Sequence, residues 1–223
     1  MRPGFTVEVC DDGEAAAGFA AELVATEAAG SIEGGGSFTL ALSGGRTPRR
    51  MLELLDPTVL AGDAVTTFQV DERIAPDDDP DRNLTQVREA LSATALDRVR
   101  PMPVTDGDLE AAATRYASEL PDSLDLVHLG LGPDGHTASL VPGDSVLEID
   151  DRLVALTGGE YQGRRRMTLT YPALAAARKI LWLVTGGDKR EALRGLLEGD
   201  ESIPAGRVVA RSAVVVCDRA ARG

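Results

Sequence analysis

Lysine is almost missing from this chain: Lys179 and Lys189 are the only two among 223 residues. Arginine supplies nearly all the positive charge, and 36 acidic residues outnumber 23 basic ones, for a formal net charge of −13. Such a surface repels phosphate backbones, so a nucleic-acid partner is not expected. It also repels small phosphorylated ligands at long range, so any anion site must be local, made of backbone N–H groups and a few chosen cations. Cysteine and histidine are equally scarce, at two each. That leaves too few soft ligands for a zinc cage, and no metal is expected. Cys10 and Cys217 each end an apolar run, outside any C-x-x-C pair, and read as reduced, packed thiols. No apolar run approaches the roughly 20 residues that a membrane-spanning helix needs. The opening "MRPGFTVEVCDDGE" has no h-region, so the cytosol is the expected location. Neither a Walker loop (G-x-x-x-x-G-K-[ST]) nor a G-x-S-x-G elbow is present.

What is present is an alternation of short apolar runs with helical stretches. "FTVEV" (5–9), "FTLAL" (38–42), "VTTFQV" (65–70), "LDLVHLG" (124–130), "MTLT" (167–170), "ILWLV" (180–184) and "AVVVC" (213–217) have strand length. Between them, 12–29, 49–55, 84–96, 108–120, 171–179 and the stretch after "TGGD" have helical spacing, and Gly199 is placed to end the last of these. "SIEGGGS" (31–37) and the acidic "APDDDPDRN" (75–83) read as loops. The pattern predicts one α/β domain over residues 1–223, a three-layer sandwich with a mostly parallel sheet and helices on both faces. "LALSGGRTPRRMLELL" (40–55) and "WLVTGGDKREALRGLL" (182–197) share one design: an apolar strand, a hydroxyl residue, Gly-Gly, then a helix.

Chemistry concentrates where these strands end. In "SGGRTP", Gly44 and Gly45 let backbone approach a ligand, Thr47 is placed to cap the following helix and Pro48 to begin it. Ser43 and Arg46 add hydrogen-bonding groups. The turn is either a phosphate cradle at a helix N-terminus or a strand–helix connection that binds nothing. In "TGGDKRE", Asp188 is the expected cap. Lys189 then falls in the first turn, where a cation is unfavourable unless an anion compensates it; the alternative is a solvated surface lysine. "VDER" ends a strand, so Asp71, Glu72 and Arg73 are placed to reach a crevice at the carboxyl edge of the sheet. "GLGPDGHTASL" (130–140) has the G-x-G-x-x-G text of a dinucleotide-binding turn. The acidic residue such a fingerprint needs after the second strand is missing, however, because Glu148, Asp150 and Asp151 precede "LVAL" (153–156). His136 is better read as a general base, since imidazole titrates near neutrality, with Asp134 close enough to fix its tautomer. His128, mid-strand, reads as a packed core residue.

Taken together, "LALSGGRTP", "VDERIAPDDDPDRN", "GLGPDGHTASLVPG", "RMTLTYPAL" and "VTGGDKREAL" resemble the 6-phosphogluconolactonases of the larger family that includes glucosamine-6-phosphate deaminase. The resemblance spans most of residues 38–197. It implies hydrolysis of 6-phospho-D-glucono-1,5-lactone in the oxidative pentose phosphate pathway, the α/β fold of that family, and no metal or organic cofactor. It implies His136 as base and then acid, Asp134 as its partner, and Asp71 as a second polar group near the ring. Ser43, Gly44, Gly45, Arg46 and Thr47 would form the phosphate cradle, with Arg73, Arg166 and Lys189 as cations; Arg164 and Arg165 are neighbours that compete with Arg166. The deaminases have a loop resembling G-H-I-x-F-N-E-P, whose glutamate takes part in ring opening. Here Val141 stands in that place, which favours the lactonase. A sugar-phosphate-binding protein without turnover is the remaining reading. A monomer is expected.

Overall fold

The predicted apolar runs become the strands of one sheet in the computed structural model, which describes residues 4–33 and 35–223. β1 (Phe5–Cys10), β2 (Phe38–Leu42), β3 (Val65–Gln69), β5 (Val99–Arg100), β6 (Leu126–Leu129), β9 (Lys179–Val184) and β10 (Ala213–Asp218) join in the order β1-β10-β9-β6-β2-β3-β5. Every neighbouring pair is parallel. Period-2 alternation sends Phe38, Leu40 and Leu42 to one face and Ala41 to the other. Each of those three large side chains is at most 2% exposed, and burial of such a group stabilises the fold by about 1.5–3 kcal/mol.

Helices cover both faces, as expected. α1 (Gly13–Glu33), α2 (Arg46–Leu54), α3 (Asn83–Ala90) and α4 (Ala93–Leu96) pack on one side through Val24, Met51, Leu84 and Ala95. α5 (Leu109–Glu119), α6 (Tyr171–Ala176), α7 (Arg190–Glu198) and α8 (Pro204–Arg207) pack on the other through Tyr116, Leu174, Leu193 and Ala205. α9 (Arg219–Arg222) adds Ala221 to the second core. Among the described residues no helix is long and apolar enough to cross a membrane. Cys10 and Cys217 are free thiols on adjacent strands, with Val9 rather than Cys10 opposite Cys217, so they face opposite sides of the sheet. Burial raises both thiols, Cys217 to about 11, which keeps them protonated and unreactive at neutral pH.

Several boundaries differ from the sequence expectation. α1 continues through Ser31, Ile32 and Glu33, because nothing before the glycines interrupts it; Gly34, in the predicted loop, lies outside the described residues. The predicted helix over 84–96 is two, since the Ser92 hydroxyl accepts the Ala95 N–H (3.3 Å) and starts α4 afresh. "DER" does not simply end β3. It forms β4 (Asp71–Arg73), which pairs antiparallel with β8 (Arg166–Leu169); β8 in turn pairs antiparallel with β7 (Val154–Leu156), giving a second sheet.

His128 is the packed residue the sequence predicts. It is fully buried in β6, and neither ring nitrogen has a hydrogen-bond partner among the described residues. Burial pushes its pKa down to about 4. The unfolded chain takes up a proton near pH 6.5 while the folded one does not, so stability falls as the pH drops from about 6.5 to 4. His128→Leu removes this loss. The urea-derived stability of the variant relative to wild type is expected to rise by about 3 kcal/mol between pH 7.5 and 4. A pH-independent difference would show that the imidazole is solvated or protonated in the fold.

Candidate active site

Three adjacent central strands, β9, β6 and β2, each release a loop at their carboxyl ends, and the three loops meet around a cavity of about 680 Å³. This is where an open parallel sheet places ligands. The β2 loop brings Ser43, Gly44, Gly45, Arg46 and Thr47 to the wall, the β9 loop brings Thr185, Gly186 and Lys189, and the β6 loop brings His136. The two look-alike segments of the sequence thus face each other, joined by a 3.0 Å hydrogen bond between the Thr47 and Thr185 hydroxyls.

The cap assignments change. α2 begins at Arg46 with Gly45 as its N-cap, so Thr47 and Pro48 lie two residues further in than predicted, and no side chain caps the helix. Gly45 adopts φ +121°, a region only glycine enters freely, and its N–H donates to Gln86 Oε1 (2.8 Å). At Gly44 a Cβ would stand 2.0 Å from Asn83 Oδ1, so the close approach there is to a side chain of α3. The Ser43 hydroxyl donates to the His128 carbonyl (3.0 Å). Asp188 caps nothing; it lies in a 3-10 turn, 3.2 Å from Lys189 Nζ.

His136 Nδ1 lies 2.5 Å from Asp134 Oδ1. Burial works to raise the Asp134 carboxyl, but the hydrogen bond and charge of His136, with help from Tyr161, hold it below the usual carboxylate range. Nε2 of His136 has no partner among the described residues. The glycines explain themselves locally. At Gly132 a Cβ would be 2.0 Å from His136 Nδ1, and Gly135 has φ +80°. After this loop the chain runs through a 3-10 turn at Ser145–Glu148 into β7, so no α-helix N-terminus stands there to take a pyrophosphate.

The small antiparallel sheet supplies the opposite wall. Asp71 and Arg73 from β4 and Arg166 from β8 line the cavity. Both Asp71 oxygens are occupied, by Ser139 Oγ (2.6 Å) and Asn83 Nδ2 (3.1 Å), with Arg166 Nη1 at 4.0 Å. Burial pulls the Arg166 guanidinium below its ordinary value, against the opposing charge of Asp71. The other two arginines face elsewhere: Arg164 pairs with Asp79 (2.8 Å), and Arg165 donates to the Thr157 carbonyl. Glu72 is a correction, because it does not reach the crevice. It is fully buried and accepts the N–H groups of Asn83 and Leu84 at the start of α3. Arg46 and Arg73 make no ion pair among the described residues; Arg73 donates to the Asp81 carbonyl.

Sequence reasoning missed Tyr161, Asn83, Ser139 and Thr185. Thr185 was signalled by the repeat of "SGG" as "TGG". Asn83 opens α3 and Ser139 lies on the loop after β6, both bonding Asp71, while Tyr161 lies on the loop between β7 and β8; no spacing rule within the chain announces them.

Residues 11–217 match the family described as glucosamine-6-phosphate isomerases/6-phosphogluconolactonase. A 6-phosphogluconolactonase of Nostoc sp. is 36% identical over 205 residues, 84% of this chain and 83% of that protein. One from Rattus norvegicus is 34% identical over 217 residues, covering 86% and 82%. Among solved structures, 6-phosphogluconolactonase from Leishmania guyanensis superposes with a TM-score of 0.85 at 25% identity, covering 97% of each chain. By matched length and identity together, the chain belongs to the glucosamine-6-phosphate isomerase/6-phosphogluconolactonase family.

Proposed function

We propose that this protein hydrolyses 6-phospho-D-glucono-1,5-lactone to 6-phosphogluconate, as the names of its relatives say of them. One observation supports it above the rest. In a chain of net charge −13, Arg46, Arg73, Arg166 and Lys189 all line the cavity that His136, paired with Asp134, also lines. Cations gathered against the overall charge suit an anionic substrate, and a histidine oriented through Nδ1 leaves Nε2 for proton transfer.

In this reading His136 Nε2 takes a proton from water as its oxygen attacks the lactone carbonyl. The tetrahedral oxyanion forms beside the Arg73 and Arg166 guanidiniums, which stabilise the developing charge. Collapse breaks the bond to the ring oxygen, and the imidazolium returns its proton there. Asp134 holds the tautomer and supports the imidazolium. Asp71, with both oxygens occupied, acts as a fixed anion that orients Arg166 rather than as a proton carrier. The phosphate lies against the N-terminus of α2, between Arg46 and Lys189, where the first helical N–H groups lack intrahelical acceptors. The deaminase alternative is disfavoured because Val141 has no proton to give and is buried. A single domain acting as a monomer in the cytosol completes the reading.

The test is the loss of freshly generated lactone with protein and without it, the blank being needed because the lactone also opens unaided. Loss at the blank rate would sink the hydrolase reading. In the same assay Lys189→Ala is expected to raise KM about tenfold with kcat nearly unchanged, because a charge-assisted bond to phosphate forms equally in ground and transition states. An unchanged KM would remove Lys189 from the site.

A further inference from the structure

Tyr161 lies outside the cavity wall, on the loop between β7 and β8, yet it touches three of the groups that matter. Its hydroxyl donates to Asp134 Oδ2 (3.1 Å) and lies 3.3 Å from His136 Nδ1. Its ring meets the imidazole edge-on, with centroids 5.0 Å apart, and the Arg166 guanidinium carbon sits 5.1 Å from the ring centroid. The loop itself is pinned. Asp144 accepts the N–H groups of Gly158 and Gly159, Tyr161 bridges Arg164 through backbone hydrogen bonds, and Arg166 Nη2 donates to the Tyr161 carbonyl (3.2 Å).

We propose that Tyr161 is a positioning residue, which acts on the reaction by holding the Asp134 carboxylate and the His136 ring in one plane of contact. The proposal rests on the hydrolase reading of the same site. A carboxylate bonded only through Oδ1 is free to swing about its side-chain torsion. With Oδ2 tied to a phenol on a separate element, the pair has one arrangement, and the ring edge blocks rotation of the imidazole. The phenol also takes a share of the carboxylate's charge, which tempers its pull on the His136 proton. The charged groups around Tyr161 and His136 are Asp134 on the His136 loop, Arg166 on β8, and behind Arg166 the β4 residues Asp71, Glu72 and Arg73. Burial, then the bond to Asp134, raises the Tyr161 phenol, so it remains a donor at neutral pH.

Tyr161→Phe retains the ring and deletes the donor; Tyr161→Leu deletes both. Tyr161 is only half-buried, so both variants are expected to fold. Expected for Tyr161→Phe is a fall in kcat of about tenfold with KM within twofold, since small misplacements of a base are costly. With the phenol gone, Asp134 pulls harder on the His136 proton, and the acidic limb of the pH–rate profile moves upward. Tyr161→Leu should lose more. A readout independent of turnover is available because the chain has only two histidines. In a carbon-13 NMR titration of labelled histidine, His128 is set apart by burial and a pKa near 4. The His136 midpoint should be higher in Tyr161→Phe than in wild type. An unchanged midpoint together with unchanged kcat would overturn the proposal. So would a fall in kcat at an unchanged midpoint, which would mean that Tyr161 serves Arg166 and not the dyad, or a rise in KM alone. If wild type fails to open the lactone, the hydrolase reading falls, and the titration still decides whether Tyr161 holds His136.

Discussion

His136→Ala is expected to lower kcat for lactone opening by about 10²- to 10⁴-fold, the span that general acid–base catalysis contributes. KM should change little, because the proposed phosphate contacts come from other loops, on α2 and at Lys189. The side chain is 21% exposed, so its removal leaves no sealed cavity, and the thermal midpoint should remain near that of wild type. The measurement is the rate of lactone loss with wild type, variant and blank, beside a melting curve for each protein. A variant as fast as wild type would leave the lactonase in place and strip His136 of its role. A variant that is unfolded would decide nothing about chemistry, which is why the melting curve belongs to the experiment.

The second large effect comes from a residue with no side chain. Gly132→Ala should lose about 10²-fold in kcat with little change in stability. The added Cβ would stand 2.0 Å from His136 Nδ1 and 2.6 Å from Asp134 Oδ1, so one or both must move. Both are partly exposed side chains that can swing toward solvent, so the fold is spared while the dyad is broken. Gly135→Ala, three residues on, should do the reverse. There the backbone has φ +80°, where an L-residue is strained, and the new Cβ would meet Ile203 Cβ at 2.5 Å in packed structure. The expected signature is a lowered melting point before any specific kinetic defect. If Gly132→Ala instead keeps full activity, the observed Nδ1–Asp134 arrangement is not needed for catalysis.

These two glycines show what the sequence discloses and what it withholds. The text G-x-G-x-x-G was legible, and rejecting the dinucleotide reading needed only the order of the following elements. That Gly132 makes room for an imidazole four residues later is not a matter of spacing; it depends on how the loop turns back on itself, with Gly132 N–H bonded to the His136 carbonyl (2.8 Å). The parallel sheet was readable because apolar runs such as "FTLAL" and "ILWLV" are long enough to be buried on both sides. β4 and β7, three residues each, have too little pattern to announce a second sheet. For that reason the sequence puts Glu72 in the crevice although it caps α3 from inside, while Asp71 and Arg73, its neighbours on the alternating strand, do reach the cavity. Side-chain preference makes caps of Thr47 and Asp188; in the fold Thr47 bonds Thr185 instead, and Asp188 pairs with its own neighbour Lys189. Among three consecutive arginines, strand alternation and loop anchoring, not composition, decide that Arg166 faces inward.

The antiparallel pairing of β4 with β8 sets Asp71 against Thr168 and Arg73 against Arg166. β4 and β7 are three residues long and β8 four, so few ladder hydrogen bonds hold this sheet together, and the free energy of local opening is low where few buried bonds must break. The seven-stranded sheet and its helices can therefore stay closed while the wall that carries Arg73 and Arg166 opens. A molecule in that state keeps nearly all of its secondary structure yet has lost one side of its cavity, so the proposed activity is more fragile than the fold that carries it.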